Sequence, residues 1–581
     1  MKSIFTQLFH TQYNLPKARS LTNIVESFSF SERIVFALAS ALLIVSTISV
    51  LTKVNALLVI DVPVRGGSLT EGIIGTPRFI NPLLAITDAD RDLTQLVYSG
   101  LMKSNPDGTL IPDLAESYTI SEDGRSYTFI IRENALFHDG THVTADDILF
   151  TITKAQDPML RSPKRVNWDG VTVEKINDNE VRFTLARPYA PFLENTTLGI
   201  LPKHIWGHTD TEQFPFSDLN TDPVGSGPYT VASIKRNASG APTAYTLKPF
   251  NAYTLGAPYI AELKTVFFSN EDMLIEAFED GDISSINSIS PQRVASLTKY
   301  TQDTYTVALP RVFGVFFNQN EATIFTDIAV RKALDTALDK QALVDAVLYG
   351  YGEPLNGPIP PGILPTNTHS PEEVASSSAR IENALDMLTQ NGWTFNDETG
   401  VMQKKDGKEL RFSIATSNIP ELKHAAEIIV ATWNQLGAQV ELKVFDPVDL
   451  NQTIIRTRRY DALLFGTIIG RDLDFFAFWH SSQRNDPGLN IALYTNRTID
   501  DLLDDARKIQ DRAERLEKYE QFNTIITSEY PATFLYAPDF TYLLNTPVHH
   551  INLGQITTPS DRFINVHEWF IETEHVWNIF N

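Results

Sequence analysis

At 581 residues the chain is long enough for several domain-sized units, and its 43% apolar residues mark it as globular rather than disordered. Its formal charge of −23 is spread along the chain, so it offers no basic face to nucleic acid, and the acidity serves solubility. With no cysteine it has no thiolate nucleophile, disulfide framework, cysteine zinc site or lipidated cysteine, a composition that fits an exported protein.

The first predicted element is Ile34–Thr52, 19 residues without a charge. As a helix it spans about 28 Å, close to the roughly 30 Å of a bilayer's hydrocarbon core. Lys2, Lys17, Arg19 and Arg33 outnumber Glu26 and Glu32 ahead of it. That excess places residues 1–33 in the cytoplasm as a tail and the bulk of the chain outside. An uncleaved single-pass anchor over 34–53 is the expectation. A signal peptide cut near Val54-Asn55-Ala56 competes, although the leader and the apolar run are both long for one. A buried core helix would be apolar on one stripe, and this segment is apolar all round. Residues 54–65 are expected to be a linker, Val62–Gly67 carrying Pro63 and two glycines into the first strand.

The most informative block is residues 112–151. Tyr118–Ile120 and Tyr127–Arg132 are β-branched and aromatic runs, with Tyr127, Phe129 and Ile131 on one face, and Glu122-Asp123-Gly124 turns the chain between them. Asp139-Gly140 makes a second turn, and Thr144 with Asp147 forms a capping pair for a helix over Ala145–Lys154. Later, Leu410–Ala415 is strand-like, and Glu421–Leu436 has helical apolar spacing and stops at Gly437. Val440, Leu442 and Val444 then alternate: a βαβ unit with parallel strands. Tyr460–Gly466 is a further strand, followed by a long charged helix over about 498–529. No repeat period is visible, and the mixed order of elements implies an α/β assembly.

Enzyme signatures do not emerge. There is no G-x-S-x-G elbow, H-E-x-x-H helix or P-loop, and His549-His550 is adjacent, not spaced for one metal. His138-Asp139-Gly140 reads as a turn. The Asp472–Asp474 pair is too short a pattern to mark a metal, and Asp500, Asp501, Asp504 and Asp505 complement a helix N-terminus. No cofactor or metal is expected.

The wording of residues 112–151 closely resembles the solute-binding proteins of peptide-type ABC importers, family 5. Gly66–Met102 resembles that family's opening strand, "NP" loop and first helix. Pro223-Val-Gly-Ser-Gly-Pro-Tyr229 resembles its glycine-rich turn, and Phe316-Phe-Asn318 with Asp327–Gly350 its long R-x-A-L-x-x-A-x-D helix. The resemblance implies a two-lobed periplasmic-binding-protein-like (type II) α/β fold, with an extra subdomain on lobe one. In this numbering, lobe one is 66–95, 222–310 and 531–581, the subdomain 96–221, and lobe two 311–530. It implies an extracytoplasmic protein that captures oligopeptides or peptide-like solutes between its lobes and hands them to an ABC permease. Binders of nickel chelates or sugars share the resemblance. A surface sensor or chaperone-like binder, and a hydrolase on this scaffold, are the rival functions.

For the site, the resemblance implies that Ile86, Thr87 and Asp88 meet the ligand backbone from lobe one, and Gly466, Thr467, Ile468 and Ile469 from lobe two. The family commonly places an aspartate for the ligand's α-ammonium where Gly470 stands here. Asp472, Asp474 or Asp88 are the substitutes, with Arg471 beside them opposing a cation. Phe313, Trp479 and Tyr494 are candidate cleft aromatics, though packing competes with that role for each.

Overall fold

The computed structural model describes residues 27–364, 376–471 and 473–577, without the side chains of 56–59 and 577. The chain divides into two compact units: residues 1–64 with 572–581, and residues 65–571.

In the smaller unit, helix α1 (Phe30–Leu58) is longer than the expected segment, and Phe30–Asn55 within it is long and apolar enough to cross a membrane. Residues 54–65 are not an irregular linker: Val59–Val64 form strand β1, antiparallel to Glu572–Trp577 with Ile60 opposite Val576. Pro63 sits opposite Thr573 in this ribbon, both of whose strands are edge strands, the setting in which strand prolines occur.

The larger unit is mixed α/β. Its first part contains β2 (Gly66–Ile74) and α2 (Asp88–Val97). The predicted hairpin follows as β3 (Ala115–Ile120) and β4 (Ser126–Ile131), then α3 (Ala145–Gln156), β5 (Val171–Asn177) and β6 (Glu180–Leu185). These strands form a four-stranded antiparallel sheet of order β3-β4-β6-β5. Tyr127, Phe129 and Ile131 are buried as their alternation requires, against Phe183 and Phe192. Thr144 and Asp147 cap α3, the Thr144 N–H donating to Asp147 at 2.9 Å.

The glycine-rich turn has a steric reason. A Cβ on Gly225 would lie 2.1 Å from the Val97 carbonyl oxygen, and one on Gly227 2.6 Å from the Val97 carbonyl carbon. His138 clamps this turn, its Nε2–H donating to the Gly227 carbonyl (3.0 Å) while Nδ1 accepts from the Gly225 N–H (3.3 Å). Burial pushes this imidazole down to about 4, so it stays neutral and structural.

The chain then adds β7 (Tyr229–Arg236), β8 (Pro242–Pro249), β9 (Ile260–Phe268), β10 (Ser285–Asn287) and β11 (Asp303–Ala308). The chain continues with β12 (Arg311–Phe317), α4 (Ile328–Thr336), α5 (Lys340–Leu348) and β13 (Gly352–Pro354). The βαβ unit is β14 (Arg411–Ser417), α6 (Pro420–Asn434) and β15 (Gln439–Phe445), its strands parallel. It continues with β16 (Ala462–Ile468), α7 (Arg497–Ala506), α8 (Arg512–Glu529) and β17 (Ala532–Leu544). Two long helices expected from the sequence are broken. Asp339 caps α5 by accepting from the Ala342 N–H, and Asp511 caps α8 by accepting from Glu514, so each restarts a helix after an interruption.

These strands form a 12-stranded sheet whose main path runs β15-β14-β16-β12-β17-β10-β2-β9-β8-β7, with β11 and β13 also on β17. The 13-residue β17 belongs to both lobes. Its start pairs with β12 (Phe316 opposite Ala532) and its end with β11 (Asp303 opposite Leu544). The chain crosses between lobes again at Leu309-Pro310, between β11 and β12. Two adjacent backbone crossings are what a hinge requires.

Candidate ligand-binding cleft

The end of β16 presents an open hydrogen-bonding edge. In register with β12, Ile468 lies opposite Arg311 and Gly466 opposite Phe313, and the Ile469 N–H donates to the Pro310 carbonyl at 2.8 Å. Antiparallel alternation therefore turns the backbone groups of Phe465, Thr467 and Ile469 toward β12, and those of Gly466 and Ile468 the other way. On that other side β14 pairs only as far as Leu463, and the Thr416 hydroxyl takes the Leu464 carbonyl (3.1 Å). Beyond Leu464 the edge has no partner among the described residues. Gly466 is required here because a Cβ would lie 2.6 Å from the Phe313 ring, itself stacked on Tyr536 with centroids 5.2 Å apart.

Across the cleft, Ile86 is 59% exposed on the loop before α2. Thr87 is a helix cap: its hydroxyl accepts from the Asp90 N–H, its N–H donates to Asp90 and its carbonyl takes the Arg91 N–H, so its backbone is engaged in starting α2. Asp88 lies 3.7 Å from Arg91, and burial, then Asp92, raises its carboxyl.

The other predicted site residues separate by role. Arg471 crosses the cleft: its guanidinium meets Asp561 (2.8 Å) and Glu194 (3.3 Å), with only 6% of the side chain exposed. Burial raises the Glu194 carboxyl, while Arg471 opposes that shift. Asp474 is held by Arg507 (2.6 Å) and by the Tyr189 hydroxyl (3.2 Å), and is thus not a free anchor for a ligand cation. Asp472 lies outside the described residues. Trp479 and Tyr494, candidate cleft aromatics, are core residues: Trp479 packs on Phe316, Phe522 and Phe534, and the Tyr494 hydroxyl donates to Glu529 at 2.7 Å.

Arg471 lines three cavities, the two larger of about 350 and 410 Å³, each within the usual size of a small-molecule site. The larger is walled by Thr306–Ala308 at the end of β11, by Pro310, Gly470 and Gly554–Thr557, and holds Glu353 and Asp539. Neither carboxylate has a cation partner among the described residues. Burial, then Glu353, raises Asp539 to about 6. Sequence reasoning missed this pair, because β11, β13 and β17 bring it together from distant segments. It also missed Asp561, whose place at the end of Thr558-Pro-Ser-Asp561 is a visible capping box.

The Asp539 shift has a testable sign. A carboxyl whose folded value lies above its ordinary 3.8 contributes stability below that value, and this contribution is lost as pH rises through about 6. Asp539→Asn is expected to gain melting temperature over the parent chain between about pH 4 and about pH 7. An offset equal at both pH values would contradict the assignment.

Known proteins are similar to this chain in sequence and fold. Residues 109–487 match the profile of the bacterial extracellular solute-binding proteins, family 5 (middle region). The oligopeptide-binding protein AppA of Bacillus subtilis is 28% identical over 517 residues, covering 88% of this chain and 92% of that protein. Its structure in complex with a nonapeptide superposes with a TM-score of 0.65 at 26% identity, over 88% of this chain and 100% of that one. NikZ of Campylobacter jejuni in complex with Ni(L-His) gives a TM-score of 0.63 at 26% identity, over 87% and 99%. An α/β sheet crossed twice between two lobes, an open strand edge at their cleft and a family profile spanning most of the chain converge: this protein belongs to the family 5 bacterial extracellular solute-binding proteins.

Proposed function

We propose that the chain captures an oligopeptide or peptide-like solute in extended form between its lobes and delivers it, chemically unchanged, to an ABC permease. The observation that carries this reading is the unpaired edge at Gly466 and Ile468, which the chain follows with Gly470 and Arg471 in the wall of a 410 Å³ cavity. A strand edge binds main chain, which every peptide has, while a roomy cavity accepts varied side chains with water filling the remainder. Capture is a shift between open and closed populations, driven by contacts that need both lobes at once. Helix α1 serves as an uncleaved membrane tether with the lobes outside the cell; intact residues 34–53 in the mature membrane protein, read by N-terminal sequencing, test this. The bound nonapeptide of the AppA relative supports a peptide cargo.

Native mass spectrometry of the full chain in detergent, after incubation with a peptide digest, tests the function. The expected result is a ladder of peptide masses bound at one per chain and released intact. A single non-peptide mass, such as a nickel–histidine complex, or shortened peptides would overturn it.

A further inference from the structure

The smaller unit brings two distant stretches of chain to one place. Strand β18 (Glu572–Trp577) runs antiparallel to β1, and their register sets Trp577 opposite Val59, the residue that follows the end of α1. Opposite residues of an antiparallel pair lie about 5 Å apart at Cα, so β18 returns the chain to the foot of the helix. The register is held on both faces of the ribbon. Half-buried Ile60 lies opposite half-buried Val576, and the His575 imidazole meets the Asp61 carboxylate.

Polarity changes along β18 toward that foot. Glu572, Glu574 and His575 are exposed, whereas residues 576–580, Val-Trp-Asn-Ile-Phe, carry no charge. The helix sets their depth. The uncharged run Ile34–Thr52 fills the hydrocarbon core, which puts Lys53 at its boundary. From Lys53 to Val59 a helix rises about 9 Å, while the headgroup layer is about 5–8 Å deep on each side. Trp577 therefore stands at the outer rim of that layer. From there to Phe580 an extended chain reaches about 10 Å, enough to return to the hydrocarbon boundary.

We propose that residues 576–580 form a second membrane contact, in which Trp577, Ile579 and Phe580 seat at the headgroup–hydrocarbon boundary of the bilayer that α1 spans. The inference rests on the tether reading above and adds a lipid partner for the strand paired with the tether. Indole suits this layer, its ring lying against acyl chains while its N–H donates to headgroup oxygens. The contact is apolar and has Glu572 and Glu574 behind it, so it needs no anionic lipid and withstands salt, unlike a polybasic anchor.

Tryptophan fluorescence of the full chain in vesicles of phosphatidylcholine, plain or brominated on the acyl chains, tests it. The other six tryptophans are buried in the larger unit, Trp479 being the most accessible at 3%, so bromine in the bilayer reaches Trp577 alone. Brominated lipid is expected to remove up to about one-seventh of the emission, Trp577 being one of 7 tryptophans, at low and at high salt. Trp577→Phe, and separately Ile579→Asp with Phe580→Asp, are expected to abolish the quenching while the melting temperature stays unchanged. Equal emission in the two lipids, quenching that vanishes at high salt, or quenching that survives in either variant overturns the second contact but leaves the tether standing. A chain that does not float with the vesicles overturns both.

Discussion

Replacing Arg562 with methionine is expected to destabilise the folded chain by about 3–5 kcal/mol, the usual result of removing one partner from a buried ion cluster. Arg562 is fully buried and donates to Glu71 (2.9 Å) and Asp92 (2.6 Å), themselves inaccessible to solvent. Glu71 also accepts from the Tyr542 hydroxyl (2.8 Å) and from Asn287 (3.1 Å). The cluster thus joins β2, β10, α2, β17 and the C-terminal segment at one point. Without the guanidinium, two carboxylates remain buried side by side with no cation, and one must take up a proton or the segments must part. The prediction is checked by thermal unfolding in detergent. Adding Glu71→Gln to Arg562→Met is expected to recover part of the loss, because it removes one of the stranded charges. A single-variant loss below about 1 kcal/mol would mean that the cluster is not the tie described.

Arg471→Ala is expected to weaken ligand binding about tenfold or more and to enlarge the particle in solution scattering. Its guanidinium joins lobe two to Glu194 of the subdomain and Asp561 of the C-terminal segment. Truncating one side of such a desolvated pair costs about 2–5 kcal/mol, much of it from the acids left unpaired. Opening the cleft rehydrates those acids, so the variant's equilibrium moves toward open forms. Neighbouring contacts limit the effect: the Tyr189 hydroxyl donates to Asp474, and the Ala190 N–H donates to the Arg507 carbonyl at 2.8 Å. If affinity and scattering both match the parent chain, Arg471 is not a closing contact.

Local features were legible in the sequence and long-range ones were not. The hairpin at 115–131, the Thr144–Asp147 cap and the βαβ unit at 411–445 follow from alternation, turn chemistry and helical spacing, all set within about a dozen neighbours. The helix breaks at Asp339 and Asp511 carried a signal that was overridden: each aspartate caps a new helix, but the family resemblance implies one long helix across Asp339 and the run of charged residues another across Asp511. Thr87 looked like a backbone contact for a ligand, yet Thr87 and Asp90 spell a capping box. The ion pairs of Arg471 and Arg562, and the Glu353–Asp539 pair, join segments far apart in sequence, and nothing local announces them. Trp479 and Tyr494 show the same limit, since an aromatic in a core and one in a cleft look identical in a string of residues.

Residue-resolved hydrogen exchange across β16, with and without bound peptide, tests the central claim most directly. The amides of Thr467 and Ile469 face β12 and should be slow in both states. Those of Gly466 and Ile468 face the open edge and should be fast alone, then strongly protected once a peptide pairs with them. Protection that ignores this alternation, or none at all at Gly466 and Ile468 in a saturated complex, would contradict capture along the strand edge.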